Sequence, residues 1–131
     1  MIDCENEVYT KVAQALRSQF SKIDISGDYT LTPSAFPHVS FYEADNAVDT
    51  MHTSDTTETD YVTFTVEVYS NKVPGKKTEA KQIMNAIDTV MFGLNAERLS
   101  KLVVPNRENT SIYRLVARYR VLTDGTFFYR R

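Results

Sequence analysis

A glycine–lysine loop between a predicted strand and a predicted helix is the first feature of this sequence that could do chemistry. The stretch YSNKVPGKKTEAKQIM places Gly75, Lys76, Lys77 and Thr78 in that loop. A phosphate-binding loop would also need a glycine at position 70 and a hydroxyl directly after the first lysine. Position 70 is a serine, and Lys77 separates Lys76 from Thr78. The sequence therefore predicts an ordinary turn with Thr78 as the helix cap, and no nucleotide site.

Three lysines surround the start of the predicted helix, at Lys72, Lys76 and Lys77. Cations are unfavourable at a helix N-terminus, because the helix dipole is positive there. Acidic groups on a binding partner would relieve this repulsion. We therefore predict that these lysines form part of a protein-binding surface.

Residues that commonly bind metals or act as nucleophiles are sparse and poorly spaced. His38 and His52 lie fourteen positions apart, and Cys4 is the single cysteine, which does not match a metal-ligand pattern. No Gly-x-Ser-x-Gly motif marks a catalytic serine. Cys4 falls on the same helical stripe as Val8, which favours a buried thiol over a reactive one. The sequence predicts that the protein is not an enzyme and holds no metal or cofactor.

The charges are distributed unevenly along the chain. Residues 43–60 carry six acidic groups and no Lys or Arg, whereas residues 98–131 carry eight basic groups and two acidic ones. Such asymmetry bears on partners rather than on fold. Our hypothesis is that the acidic 45–60 segment contacts basic groups of a neighbouring subunit or of another component. The predicted interface residues are Asp45, Asp49, Asp55, Glu58, Asp60, Lys72, Lys76, Lys77, Arg114, Arg118, Arg120 and Arg130.

Nucleic-acid binding is an alternative reading of the arginines. Arg114, Arg118 and Arg120 project from one predicted strand with Tyr and Phe residues nearby, and basic aromatic sheet faces can bind single strands. The isoelectric point of about 5.7 is low for a DNA-binding domain. Sequence-specific nucleic-acid binding is therefore not predicted.

Hydrophobic periodicity predicts one α+β domain over residues 1–131. Residues 4–20, capped by Asp3, and residues 78–92, ended by Gly93, follow helical spacing. Residues 61–70 alternate strictly, as in a strand with one apolar face. Further strands are predicted at 22–26, 38–44, 98–104 and 111–122, and at the end of the chain after the hairpin signal Asp124-Gly125. The simplest packing is a mostly antiparallel sheet with both amphipathic helices on one face. A long loop or hairpin arm is predicted at about 45–60.

No apolar run approaches the roughly 20 residues that a bilayer span needs. A signal peptide has a basic first segment followed by a hydrophobic one, and the acidic start MIDCENEVYT has neither. We therefore expect no signal peptide and no membrane partner. The chain should therefore stay in the cytoplasm where it is made.

Framework segments of the sequence resemble a known family. They are FPHVSFYEADN, VTFTVEVYSNKVPGKKTEAKQIMNAID and SIYRLVARYRV. Together they resemble tail terminators, also called tail-completion proteins, which belong to the neck of long-tailed bacteriophages of Gram-positive hosts. Head-closure and other neck proteins of similar size and related fold remain alternatives.

The resemblance implies a structural virion protein that is assembled in the bacterial cytoplasm. It implies an α+β fold and a homo-oligomeric ring, usually a hexamer, on the end of the tail tube. Such a ring ends polymerisation of the major tail tube protein and joins the tail to the head connector or head-closure protein. A closed ring uses two different complementary patches on each subunit, and the acidic loop and basic C-terminal region are a plausible pair.

Overall fold

The computed structural model describes residues 1–30, 33–49, 58–105 and 109–129, which form two helices and six strands. In chain order these are α1 (Glu5–Gln19), β1 (Asp24–Ser26), β2 (His38–Val48), β3 (Asp60–Ser70), α2 (Lys76–Gly93), β4 (Glu97–Val103), β5 (Tyr113–Thr123) and β6 (Phe128–Tyr129).

The strands form one sheet with the order β1-β2-β3-β5-β4, and β6 pairs with the far end of β5. Only the short β1–β2 pair is parallel, and all other described pairs are antiparallel. The predicted α+β class with a mostly antiparallel sheet is therefore confirmed.

Strict alternation along β3 sorts its side chains between the two faces of the sheet. One face carries four fully buried apolar residues, Val62, Phe64, Val66 and Val68. They join the apolar stripes of both helices in a single core, in which the rings of Phe41 and Phe64 stack with centroids 5.2 Å apart. Burial of this stripe from water supplies the main driving force for folding. We call this side of the sheet the helix face and the opposite side the outer face.

The β2–β3 hairpin is longer than the sequence predicts. β2 continues past Ala44 to Val48, after a register shift between Glu43 and Asp45. The described part of the predicted arm is therefore a continuation of two paired strands, and residues 50–57 lie outside the described residues. The low apolar content of 45–48 hides these residues from a periodicity analysis.

Several helix ends differ from the predictions. Asp3 does accept a bond from the Glu5 N–H, at 3.2 Å, although Cys4 occupies the cap position. The cap of α2 is Gly75 in the left-handed conformation, with φ of 104°, so the helix starts before Thr78 and the predicted Thr78 cap is wrong.

The C-terminal end of α2 also differs, because Gly93 is still helical and the left-handed residue is Asn95, with φ of 62°. Asn tolerates this conformation better than most residues, and its side-chain amide donates to the Phe128 carbonyl at 2.8 Å. Tertiary contacts therefore place the end of the helix. The Asp124-Gly125 turn is confirmed, with Gly125 at φ of 95° and β5 paired with β6.

Candidate assembly surfaces

The described acidic residues and the three lysines predicted to form an interface lie at opposite ends of the sheet, with Arg118 and Arg120 between them. Asp60 at the start of β3 pairs with Thr123, and Ser70 at its end pairs with Tyr113. A strand of this length spans about 33 Å. We call the end with the β2–β3 hairpin the acidic end and the end with Lys72, Lys76 and Lys77 the basic end. The described carboxylates and these lysines are too far apart to meet within one chain, so any contact between them joins two molecules.

The acidic end has both exposed and buried carboxylates. Asp45 and Glu58 are exposed, whereas Asp49 and Asp60 are 3% and 0% exposed. Asp49 and Asp60 are therefore buried within the single chain, unlike Asp45 and Glu58, and the predicted contact with a partner remains a prediction. The cause of the burial is the extended β2–β3 pairing, in which Asp49 N–H bonds the Thr59 carbonyl at 2.8 Å. Asp55 lies outside the described residues.

The first residues of the chain tie the acidic end together. The Ile2 N–H donates to Asp60 Oδ2 at 3.0 Å, and Asn46 Nδ2 donates to the Ile2 carbonyl at 2.7 Å. The N-terminal ammonium of Met1 lies 3.1 Å from Glu58 Oε2. These contacts link α1 to both strands of the hairpin, and nothing in the local sequence signals them.

Acidic groups crowd around Glu43 on the helix face. Burial, followed by the neighbouring charges of Glu5 and Asp3, raises the pKa of the Glu43 carboxyl. Its Oε1 atom is buried without a hydrogen-bond partner among the described residues, while Glu5 Oε2 accepts from the Glu43 N–H at 2.7 Å. The same environment affects Cys4, where burial and then Glu43 raise the thiol pKa to about 12. The predicted burial of the thiol is confirmed.

The basic end exposes lysines beside the start of α2. Lys72 and Lys77 are exposed, and Lys76 Nζ donates to the Thr110 carbonyl at 3.0 Å. Glu79 lies in the first turn of the helix and accepts from Ser70 Oγ at 2.6 Å. Its negative charge offsets part of the unfavourable interaction between the lysines and the helix dipole.

The arginines of β5 lie on the outer face in three different environments. Arg114 forms an ion pair with buried Glu67. Arg120 Nη2 lies 3.1 Å from Glu97 Oε2, and its guanidinium stands over the Tyr61 ring at 4.8 Å. Arg118 is exposed. Since two of the three charges have acidic partners within the chain, the row is a weaker candidate for single-stranded nucleic acid than its sequence suggests. Arg130 lies outside the described residues.

A polar cluster around Glu67 on the outer face is absent from the sequence predictions. Tyr42 Oη donates to Glu67 Oε2 at 3.2 Å, and Tyr69 Oη donates to the Thr30 carbonyl at 3.1 Å. Burial is the largest single influence on Arg114 and acts against its charge, but the hydrogen bond with Glu67 and the nearby charges, chiefly that of Glu67, together outweigh it and raise the Arg114 pKa. Burial followed by the Glu67 charge raises the Tyr69 pKa to about 12. The alternation along β3 places Glu67 on the outer face, but its burial there depends on side chains from other strands, among them Tyr42 and Arg114.

The described residues hold no group of three or more His, Cys, Asp or Glu side chains arranged to bind a metal ion. Within the same part of the chain, no helix is long and apolar enough to cross a membrane.

By sequence, this chain matches neither a protein-family model nor a curated protein. Comparison of folds does find relatives. A chain in the virion of a native gene transfer agent particle matches with a TM-score of 0.65 and 15% identity, over 92% of this chain and 94% of that one. This chain shares the fold of a virion component. The resemblance inferred from the sequence segments is thereby confirmed at the level of fold.

A second structural neighbour is the sheath/tube terminator of an extracellular contractile injection system, PVC, in its extended state. It matches with a TM-score of 0.43 and 14% identity, over 93% of this chain and 59% of that one.

Proposed function

We propose that this protein is a structural component of a phage-type tail, a terminator that forms a ring on the end of the tail tube. The observation that carries the proposal is the fold shared with a gene transfer agent virion chain over nearly the full length of both chains. The terminator-like segments of the sequence support the same role. The partners of this ring are further copies of the chain, the major tail tube protein and the head-connector or head-closure protein.

The charge separation along the sheet supports a role between two different partners. Subunits related by rotation about a ring axis all point the same way along that axis. If the strands run partly along that axis, all acidic ends face one side of the ring and all basic ends face the other. Asp45 and Glu58 then meet one neighbour in the particle, and Lys72 and Lys77 meet another.

Tube growth in vitro tests this proposal. Purified chain is added to polymerising tail tube protein, and tube lengths are measured by negative-stain electron microscopy. We expect tubes to stop growing and to carry a ring at one end. Unchanged tube lengths with no ring at either end would contradict the proposal, and binding to the connector alone would instead favour a head-closure protein.

Charge reversal at the acidic end provides a second test. The variant Asp45→Lys with Glu58→Lys should reduce either ring formation or tube capping at low salt, because both side chains are exposed and charge complementarity guides association. The matched control is Glu7→Lys with Asp28→Lys, which changes the net charge by the same amount at exposed positions outside the hairpin. Steep salt-dependent binding of the monomer to DNA would favour the nucleic-acid alternative.

A further inference from the structure

The sheet has two open edges, one on each side. β4 pairs only with β5, so its other side has no strand partner among the described residues. β1 covers β2 only over His38–Ser40, and Glu5 occupies the N–H of Glu43. We call the free sides of Glu97–Val103 and of residues 44–48 the β4 edge and the β2 edge. Exposed edges are templates for pairing with another strand.

Hydrogen-bond alternation identifies the backbone groups on the β4 edge. Val104 N–H bonds the Arg114 carbonyl at 3.1 Å, and β4 and β5 keep one register from Ser100 to Val103. Because antiparallel pairs alternate between bonded and non-bonded, Ser100 and Leu102 bond β5. The N–H and carbonyl groups of Lys101 and Val103 therefore point away from the sheet.

The same reasoning applies to the β2 edge. Asp49 N–H bonds the Thr59 carbonyl, and the register with β3 is unbroken from Asp45 to Val48. Asp45 and Ala47 therefore bond β3, while the backbone groups of Asn46 and Val48 point outward. Each edge thus offers two residues, spaced two apart, for a further ladder.

We propose that the β2 edge of one copy pairs with the β4 edge of the next, so that the sheet continues between subunits around the ring. The inference rests on the proposed ring, and it names the contact that builds it. A ring needs two different complementary patches on each subunit, and these edges are on opposite sides of one sheet.

Strand direction and side-chain placement agree with such a pairing. Three successive antiparallel pairings make β2 run opposite to β4, so neighbouring copies in a ring meet as antiparallel strands. Val48 is level with Asp60, and Lys101 with Ala117, and both lie on the helix face. Residues directly opposite each other in a ladder share a face, as these would.

The chemistry of the two edges is also complementary. The β4 edge exposes Leu102 and Val103, 51% and 54% accessible, and the β2 edge exposes Val48 at 58%. Exposed Lys101 and Arg118 lie on the β4 side, and exposed Asp45 lies on the β2 side. Pairing the edges covers the apolar groups and brings opposite charges together.

The edges are offset along the strands, which constrains the geometry of the ring. Glu97 pairs with Arg120, Arg120 with Thr63 and Thr63 with Asp45, so Glu97 and Asp45 lie at the same height in the sheet. From that height β4 runs towards the basic end. The β2 edge runs from that level towards the acidic end. Contact between the edges therefore requires strands inclined to the ring axis, as in closed barrels, where the tilt is about 35–45°.

Proline substitutions at the outward residues test the pairing. Proline at Lys101 or Val48 removes an N–H that points to the open edge and spares the bonds to β5 or β3. We expect Lys101→Pro and Val48→Pro to raise the concentration for half-assembly roughly tenfold or more in light scattering, since each ring contact loses a hydrogen bond. Lys101→Ala and Val48→Ala keep the N–H and should assemble within about threefold of the parent chain.

Intermolecular disulfides provide a measurement that does not depend on proline being tolerated. Val48 and Lys101 are separated by three strand spacings, about 14 Å, whereas a disulfide needs Cα atoms within about 7 Å. A chain carrying Val48→Cys with either Lys101→Cys or Val103→Cys therefore cannot bridge internally. Mild oxidation of one of these two variants should give a ladder of covalent oligomers, and each variant with a single introduced cysteine should not, because Cys4 is buried.

The outcomes separate the edge pairing from the ring itself. Folded proline variants that assemble like the parent chain, with no covalent ladder from either double-cysteine variant, would overturn the pairing and leave the ring standing. Proline variants that form normal rings but no longer cap tubes would show that the edges contact the tube protein, and this would also overturn the proposed pairing between copies. A parent chain that forms no ring, with or without tube protein, would instead refute the proposed function.

Discussion

The two faces of the sheet are buried by different chemistry. The helix face is covered by α1 and α2 and is almost wholly apolar, whereas the outer face buries Glu67 and pairs it with the half-buried Arg114. Apolar burial is non-directional and tolerates shifts of packing. A buried ion pair needs its specific partners to offset desolvation. The cost of a substitution should therefore follow the apolar volume removed on the helix face, and the presence or absence of the charged partner on the outer face.

The largest expected effect is in the centre of the helix face. Phe64 is fully buried and stacks on Phe41, so Phe64→Ala should cost about 3–5 kcal/mol through lost burial and a cavity. Urea unfolding measures the loss, and Phe64→Leu serves if the alanine variant does not fold. The control Phe92→Ala, at an exposed position, should change stability by less than about 0.5 kcal/mol. Equal losses at both positions would contradict the described core.

The next effect is on the outer face. Glu67→Gln removes the charge beside Arg114, and we expect a loss of about 1–3 kcal/mol because a buried group is left poorly paired. Replacing both partners, as Glu67→Leu with Arg114→Leu, should cost less than the sum of the two single leucine substitutions. A double-mutant cycle by urea unfolding measures this coupling. Strict additivity would show that the pair does not act as a unit.

A smaller effect, of opposite sign, is expected at Glu43. Its folded-state pKa lies above the ordinary 4.5, so the folded chain binds this proton more readily than the unfolded chain. Its contribution to stability therefore falls as pH rises through a window that opens near 4.5 and closes above the raised pKa. Glu43→Gln should raise the Tm at pH 7 by about 2–4 °C and flatten its dependence on pH in that window.

Glu7→Gln is the matched control for Glu43→Gln. Glu7 is an exposed acid on α1 paired with Lys11 at 3.6 Å, so its replacement should leave the Tm and its pH profile nearly unchanged. A Glu43→Gln variant that is less stable at pH 7 than the parent chain would show that the carboxylate has a compensating partner.

The smallest effect is expected at the rim of the helix face. Arg98 Nη1 lies 3.2 Å from Asp88 Oδ1, with both side chains largely exposed. Arg98→Ala should therefore cost no more than about 0.5 kcal/mol, and the difference should vanish at high salt. If Arg98→Ala lowered the free energy of unfolding as much as Glu67→Gln, solvent exposure would not explain the difference expected between the two ion pairs.

Local patterns in the sequence predicted the elements whose structure depends on one side meeting a core. The alternation of β3 and the apolar stripe of α2 follow from the periods of strand and helix, and both are confirmed. The Asp124-Gly125 turn was predictable because few residues adopt its backbone conformation. The two ends of α2 were not predictable. Gly75, not Thr78, caps its start, and Asn95, not Gly93, adopts the left-handed conformation after its last turn.

The candidate site was predicted only in its composition. Sequence alone determined that acidic and basic residues are segregated, that β3 has an apolar and a mixed face, and that the fold is α+β. The tertiary structure decided that Asp49 and Asp60 are buried, that Glu67 is paired with Arg114, and that two strand edges have no strand partner among the described residues. The physical reason is range: periodicity reports the neighbours along the chain, whereas burial, ion pairing and edges depend on segments that meet only after folding.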